Sequence, residues 1–252
     1  MCGPACAPID TAKAPAASLA APQPTLIMLI WAEPLTLASR VSVGSGRAAQ
    51  DLVNAGLSYR DSQDVPRPYL AEDLPRLGTD SWRVVPDGRM ETVYRLRPGL
   101  VWHDGAPLTP ADFVFTPRVI TDPGSKVFAK VDKPSQLEEM VAVDAHTLIF
   151  RWKGPDRQAG EQLYQPLPKH ILAAEFERGD PDAFANHSYW RGDYVHLGAY
   201  RVQRWEPDAF IEATAFGSHA LGAPRIERVK LIWAPGQCER VMTAQSVSMN
   251  SI

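Results

Sequence analysis

The sequence contains no apolar run long enough to cross a bilayer as a helix. A spanning helix needs ~20 apolar residues, and the longest run here is Leu26–Trp31 (LIMLIW). No basic region stands directly before that run and no small-residue cleavage site follows it. It therefore reads as a strand buried on both faces rather than as a leader. Cysteine is scarce: Cys2, Cys6 and Cys238 make an odd count with no CxxC pair, which excludes a complete disulfide framework and any zinc or redox motif of that type. Neither sign of charge dominates. There are 26 Lys and Arg against 29 Asp and Glu, net -3, and the basic residues are scattered. That balance supplies no field for nucleic acid and no polybasic patch for a membrane. His170, His187, His196 and His219 lack HExxH spacing, so no metal site is expected. Gly44-Ser45-Gly46 is neither GxSxG, GxGxxG nor a Walker loop, and reads as a flexible turn.

Proline is abundant instead: 23 residues in 252, where an average protein carries roughly 5%. Proline is excluded from helix interiors and central strands, so much of this chain must be turns and extended connections. With 45% hydrophobic residues, a core can still form, and the length suits one large domain or two small ones.

Residues 1–24 are dominated by Ala and Pro and read as a tether. The folded part opens with the strand from Thr25. Ala49–Leu57 shows helical spacing and Asp61–Pro75 reads as an extended surface connection. Three hairpins follow from turn chemistry. One turns at Pro86-Asp87-Gly88, one near Asp144-Ala145-His146 with Leu148 and Phe150 on one face, and one at Glu206–Ala209. Helices are expected at Pro110–Phe115, Lys169–Arg178 and Asp182–His187, and a last strand at Ile226–Trp233. The predicted fold class is α+β: hairpin-rich mixed sheets with packed helices, without regular βα alternation or internal repeats.

One segment carries more information than the rest. Tyr94–Val114 reads YRLRPGLVWHDGAPLTPADFV. Thr109 suits an N-cap, Pro110 the first helical position and Asp112 the third, where the helix dipole favours an acid. His103-Asp104-Gly105 reads as a tight turn feeding that cap; a catalytic His-Asp pair is the sharper alternative, but no nucleophile motif accompanies it. The segment resembles the signature of the peptide and nickel solute-binding family of ABC transporters, family five. Further stretches are similar in the same order: Pro68–Glu72 with Pro75, Leu167–Leu172, Ala199–Val202 with Trp205, Pro224–Ile226 and Glu33–Leu37. The resemblance spans roughly residues 25–235.

The chain departs from the family pattern at four places. Ala38-Ser39 replaces the usual Asp-Pro, and Pro117 falls inside the helix, which should end early or kink. The loop before Tyr200 lacks Gly-Pro and looks about two residues short, and the pattern stops after Trp233. The resemblance implies the first lobe of a two-lobed, periplasmic-binding-protein-like fold, with the second lobe missing. The expected organisation is a tether (1–24), an incomplete solute-binding lobe (25–235) and a divergent tail (236–252). The implied function is capture of a solute, an oligopeptide above all, for the permease subunits of an ABC importer, outside the cytoplasmic membrane, by a monomer without cofactor. The chain would do this as a truncated fragment; a non-transporting remnant or interaction protein is the alternative, and a hydrolase the third reading. The implied ligand residues are Glu33, in the loop after the first strand, Tyr59 and Tyr200. Each also has a plain role available, as a solvated carboxylate or a packing ring. Cys2 and Cys6, ahead of an Ala/Pro tether, resemble lipidated cysteines of binding lipoproteins, which would require a hydrophobic segment upstream of the first residue here.

Overall fold

The computed structural model describes residues 24–34, 36–38, 47–124, 126–127, 136–161 and 165–233. Cys2, Cys6, Cys238, Ser39, the Gly44-Ser45-Gly46 run, the tether up to residue 23 and the tail 236–252 lie outside the described residues.

The elements in chain order are β1 (Thr25–Ile30), α1 (Arg47–Val53), β2 (Ser58–Arg60), β3 (Pro66–Pro68), β4 (Trp82–Val84) and β5 (Met90–Arg95). Then come α2 (Pro110–Thr121), β6 (Leu137–Ala142), β7 (Thr147–Trp152), α3 (Lys169–Glu177) and α4 (Pro181–Ala185). A 3-10 turn at Ser188–Trp190 precedes β8 (Tyr200–Glu206), β9 (Phe210–Ala215) and β10 (Arg228–Trp233). They form two four-stranded sheets, ordered β1-β10-β9-β8 and β4-β5-β7-β6, and a small β2-β3 ribbon. The α+β, hairpin-rich class is the one expected.

The hairpins form where side chains close their turns. Asp87 accepts from the Arg89 backbone N–H at 3.1 Å between β4 and β5, beside Gly88 at φ 88°. Asp144 Oδ1 accepts from the His146 and Thr147 amides at 2.8 and 2.7 Å between β6 and β7. Alternation then buries one face: Met90, Thr92 and Tyr94 on β5, and Leu148, Phe150 and Trp152 on β7. The third hairpin turns through Asp208 at φ 60°.

Two hydrophobic cores result. The first gathers Ile30, Phe115, Val119, Leu172, Phe184, Trp190, Tyr200, Ile211 and Leu231 around the β1-β10-β9-β8 sheet. The second gathers Tyr94, Leu96, Trp102, Phe113, Leu148, Phe150 and Trp152 around the other sheet. Helix α2 serves both, with Phe113 in one and Phe115, Val119 and Ile120 in the other. Each such ring or branched chain contributes about 1.5–3 kcal/mol by leaving water.

Three expectations need correction. First, β1 is not buried on both faces. It is an edge strand, paired in parallel with β10 from Thr25↔Arg228 to Ile30↔Trp233, and Leu26, Ile27 and Leu29 are exposed, Ile27 at 61%. Second, α2 does not end before Pro117 but continues to Thr121. Packing of Phe115, Val119 and Ile120 offsets the one backbone bond that proline removes. Thr116 adds a tie: its hydroxyl donates to the Asp112 carbonyl at 2.8 Å and accepts from the Leu167 amide at 2.8 Å. Third, Asp61–Pro75 is not only a surface connection. It contains β3, and Leu70 and Ala71 are fully buried in the second core.

Candidate functional site

The signature segment has a structural task. Asp112 Oδ2 accepts from the Thr109 amide at 2.9 Å and its hydroxyl at 3.1 Å, while Oδ1 accepts from the Lys169 amide at 3.0 Å. The same carboxylate thus caps the start of α2 and ties down the start of α3. Its pKa is raised by burial, against the lowering effect of these bonds from Thr109 and Lys169. Asp104 Oδ1 accepts from the Ala106 amide at 3.0 Å, and Oδ2 meets His170 Nε2 at 2.8 Å. The two stretches that look most like family signatures are therefore fastened to each other.

His103 and Asp104 do not converge. The His103 ring is buried and turned to the segment before β8: its Nδ1 accepts from the His196 amide at 3.4 Å, so Nε2 carries the proton and donates to the Gly198 carbonyl at 3.0 Å. Burial pushes the His103 pKa down to about 4. His196 is equally enclosed. Its Nδ1 accepts from the Ala55 amide at 3.2 Å, its ring stacks on Tyr194, and burial pushes its pKa down to about 3. Both are neutral structural imidazoles in a joint between the two cores.

Glu33 lies three residues beyond β1, at the carboxyl end of the parallel β1–β10 pair. The β8–β9 turn reaches the same end, because Ile232 of β10 pairs with Phe210. There Glu33 Oε1 accepts from the Trp205 indole N–H at 2.7 Å, and Oε2 from the Asp208 amide at 3.0 Å. The carboxylate is half-buried, held by two neutral donors, and makes no ion pair among the described residues. It lines a cavity of about 360 Å³ with Pro34, Arg191, Trp205 and Pro207. The volume falls within the range of small-ligand sites. Arg191 brings the opposite charge to the same wall.

Tyr59 lines a different cavity, of about 420 Å³, between α1, the β2–β3 ribbon and the turn at 219–222. Its ring meets Tyr69 edge-on, centroids 5.5 Å apart at 71°. Tyr200 joins neither cavity wall. It is 7% exposed, packs in the first core, and its hydroxyl donates to the Ile226 carbonyl at 3.0 Å. Burial raises its pKa. The three ligand residues expected from the sequence are thus not brought to one place. Trp205, Asp208 and Arg191, which share the Glu33 cavity or hold its carboxylate, are not among the ligand groups the sequence points to. Only Trp205 has a sequence signal, as an aromatic in a matching strand.

A sequence profile for bacterial extracellular solute-binding proteins, family 5 (middle), matches residues 72–246, more than half of the chain. The chain belongs to this family. Its curated relatives include the Escherichia coli (strain K12) protein named probable deoxycholate-binding periplasmic protein YgiS, 32% identical over 169 residues. That match covers 64% of this chain and 30% of the relative. A putative ABC transporter peptide-binding protein of Brucella ovis is 25% identical over 132 residues, 51% of this chain and 24% of that protein. Among solved structures, the oligopeptide binding protein of Thermus thermophilus, complexed with a pentapeptide, superimposes with a TM-score of 0.75 at 17% identity. It is covered to 43% by 88% of this chain. The described residues thus have the fold of family 5 solute-binding proteins, and the chain spans less than half the length of the proteins it matches. The family binds solutes rather than transforming them, which agrees with the separate structural tasks of His103 and Asp104. Among the described residues, no helix is long and apolar enough to cross a membrane.

Proposed function

We propose that this chain takes part in capturing an oligopeptide or similarly built small solute for an ABC importer, on the outer side of the cytoplasmic membrane. Residues 25–235 act as one solute-binding unit whose exposed end forms a wall of the cleft. The observation that carries this reading is the Glu33 carboxylate. It is oriented by the Trp205 indole and the Asp208 amide, has no basic partner among the described residues, and faces a cavity with apolar walls. Neutral donors fix its position without cancelling its charge, so a solute ammonium can complete it by a charge-assisted hydrogen bond. Arg191 on the same wall can donate to a carbonyl or carboxylate of the same solute. The relatives named for peptide binding support the substrate class. Tyr200, packed beneath, would set the start of β8 and so support the strand that carries Trp205.

Calorimetric titration with short peptides tests the proposal. Glu33→Gln should weaken binding of a free-amine tripeptide by about tenfold, the size of one charge-assisted hydrogen bond. N-acetylation of the peptide should do the same to the unaltered chain. Equal affinity of Glu33→Gln and the unaltered chain, or no peptide binding at all, would overturn it.

A further inference from the structure

The two four-stranded sheets have four edge strands, and three of them carry features that discourage further pairing. β8 carries Arg201 and Arg204, and its register shifts between Val202 and Arg204. β6 carries Glu138 and Glu139, and its register shifts between Leu137 and Glu139. β4 is three residues long and carries Arg83. Short length, charge and bulges are the means by which sheets protect their edges. β1 has none of them. It runs for six residues, Thr25–Ile30, without a charge, a proline or a register shift against β10. No strand among the described residues pairs with its other side.

The side chains of this edge are apolar and open to water. Alternation sends Ile27 and Leu29 to the outer face of the sheet, level with Lys230 and Ile232 of β10, while Met28 and Ile30 turn to the first core. Leu29 is 40% exposed, Trp31, just past the strand, is 76% exposed, and Leu26 at its start is 41% exposed. Together with Ile27 they present apolar surface on the order of 500 Å², near the upper end of the patches that monomers carry.

We infer that β1 is the edge through which two copies of this chain associate, in place of the monomer that the family resemblance implies. A strand meets a copy of itself antiparallel, about a twofold axis perpendicular to the sheet. Such an axis keeps each face on its own side, so residues opposite each other must both be even-numbered or both odd-numbered. An axis through Met28 satisfies this and uses the whole strand. Met28 meets Met28, Ile27 of each copy meets Leu29 of the other, and Trp31 of each lies beside Thr25 of the other. Thr25–Trp31 contains no charged residue, so no like charges face each other. The two sheets become one of eight strands. The two copies together bury on the order of 1,000 Å², the low end for a specific interface, so the dimer is weak and reversible. The inference is separate from the Glu33 site, since the β1 edges pair whether or not a solute is bound.

The experiment is sedimentation equilibrium of the full chain from about 1 to about 500 µM, the range in which an interface of this size forms, with amide hydrogen exchange at both ends of the range. The chain should pass from monomer to dimer, and the β1 amides that point away from β10 should gain protection as concentration rises. Ile27→Lys, at an exposed position, should weaken dimerisation at least about tenfold without changing the far-ultraviolet spectrum, because charge on an edge strand opposes pairing. Val84→Lys, on the edge of the other sheet, should leave it unchanged. Mixing Ile27→Lys with Leu29→Glu should give tighter association than either variant shows alone, since positions 27 and 29 then face each other with opposite charges. A chain that stays monomeric throughout, open-ended assembly, or a dimer indifferent to Ile27→Lys would overturn the inference. So would protection of β1 that is equal at both concentrations, because another part of the same chain would then cover the edge.

Discussion

Gly198 occupies a place that no larger residue can take. A β-carbon there would lie 2.2 Å from the Val53 carbonyl carbon and 2.5 Å from the Asn54 nitrogen, both backbone atoms. The approach is close because the Gly198 amide donates to the Val53 carbonyl at 2.9 Å while its own carbonyl accepts from His103. Gly198→Ala should therefore lower unfolding stability by about 2–4 kcal/mol, as overpacking against backbone does. Urea denaturation measures this, and a loss below about 1 kcal/mol would mean that the segment shifts freely. The glycine is visible in the sequence within a loop that looks shortened, but its reason is not, because Val53 and Asn54 are distant in the chain. Glu33 teaches the same lesson. The resemblance points to it, but its partners Trp205 and Asp208 lie 172 and 175 positions away. Only folding reveals that its carboxylate is held rather than merely solvated.

At the scale of elements, local chemistry was legible and long-range exposure was not. The three hairpins are readable because Asp87-Gly88, Asp144 and Asp208 set their turns within a few residues. The cap of α2 is readable for the same reason. Whether β1 sits inside a sheet or at its edge depends on a strand 203 residues later, and a short apolar run looks the same in either place. Pro117 misleads in the other direction: its local cost is real, but the packing of α2 into two cores outweighs it. Asp112 tests how much the start of α2 matters. Asp112→Ala removes acceptors from the Thr109 amide, the Thr109 hydroxyl and the Lys169 amide. It should cost about 2–4 kcal/mol, a lost cap plus a buried amide left without a partner. Asp112→Asn, which keeps one acceptor oxygen, should cost less. Thermal or urea unfolding of both variants decides this, and equal losses would contradict the account.

Across the whole molecule, the two cores meet at the segment before β8, where Tyr194 belongs to the first core and Leu197 to the second. His103 and His196 lace that joint as neutral imidazoles, each using Nδ1 as an acceptor. Both have folded pKa values below the ordinary 6.5, at about 4 and about 3. Between pH 6.5 and these values the unfolded chain binds more protons than the folded one, so stability falls as the pH falls, by about 3 kcal/mol for His103 and about 5 kcal/mol for His196. Above about pH 7.5, where the unfolded imidazoles are neutral too, the two histidines contribute almost no pH dependence. His196→Gln, which can still accept from Ala55, should flatten the decline between about pH 6.5 and 4 in urea unfolding, and an unchanged decline would remove His196 as its cause.

The central claim is that a solute ammonium completes the Glu33 carboxylate where β1 and β10 end. The Trp205 indole N–H, which donates to that carboxylate at 2.7 Å, is the most direct reporter. Its NMR signal should move on titration with a free-amine tripeptide and stay in place with the N-acetylated form. An indole signal that ignores both peptides, or moves equally with each, would contradict the claim.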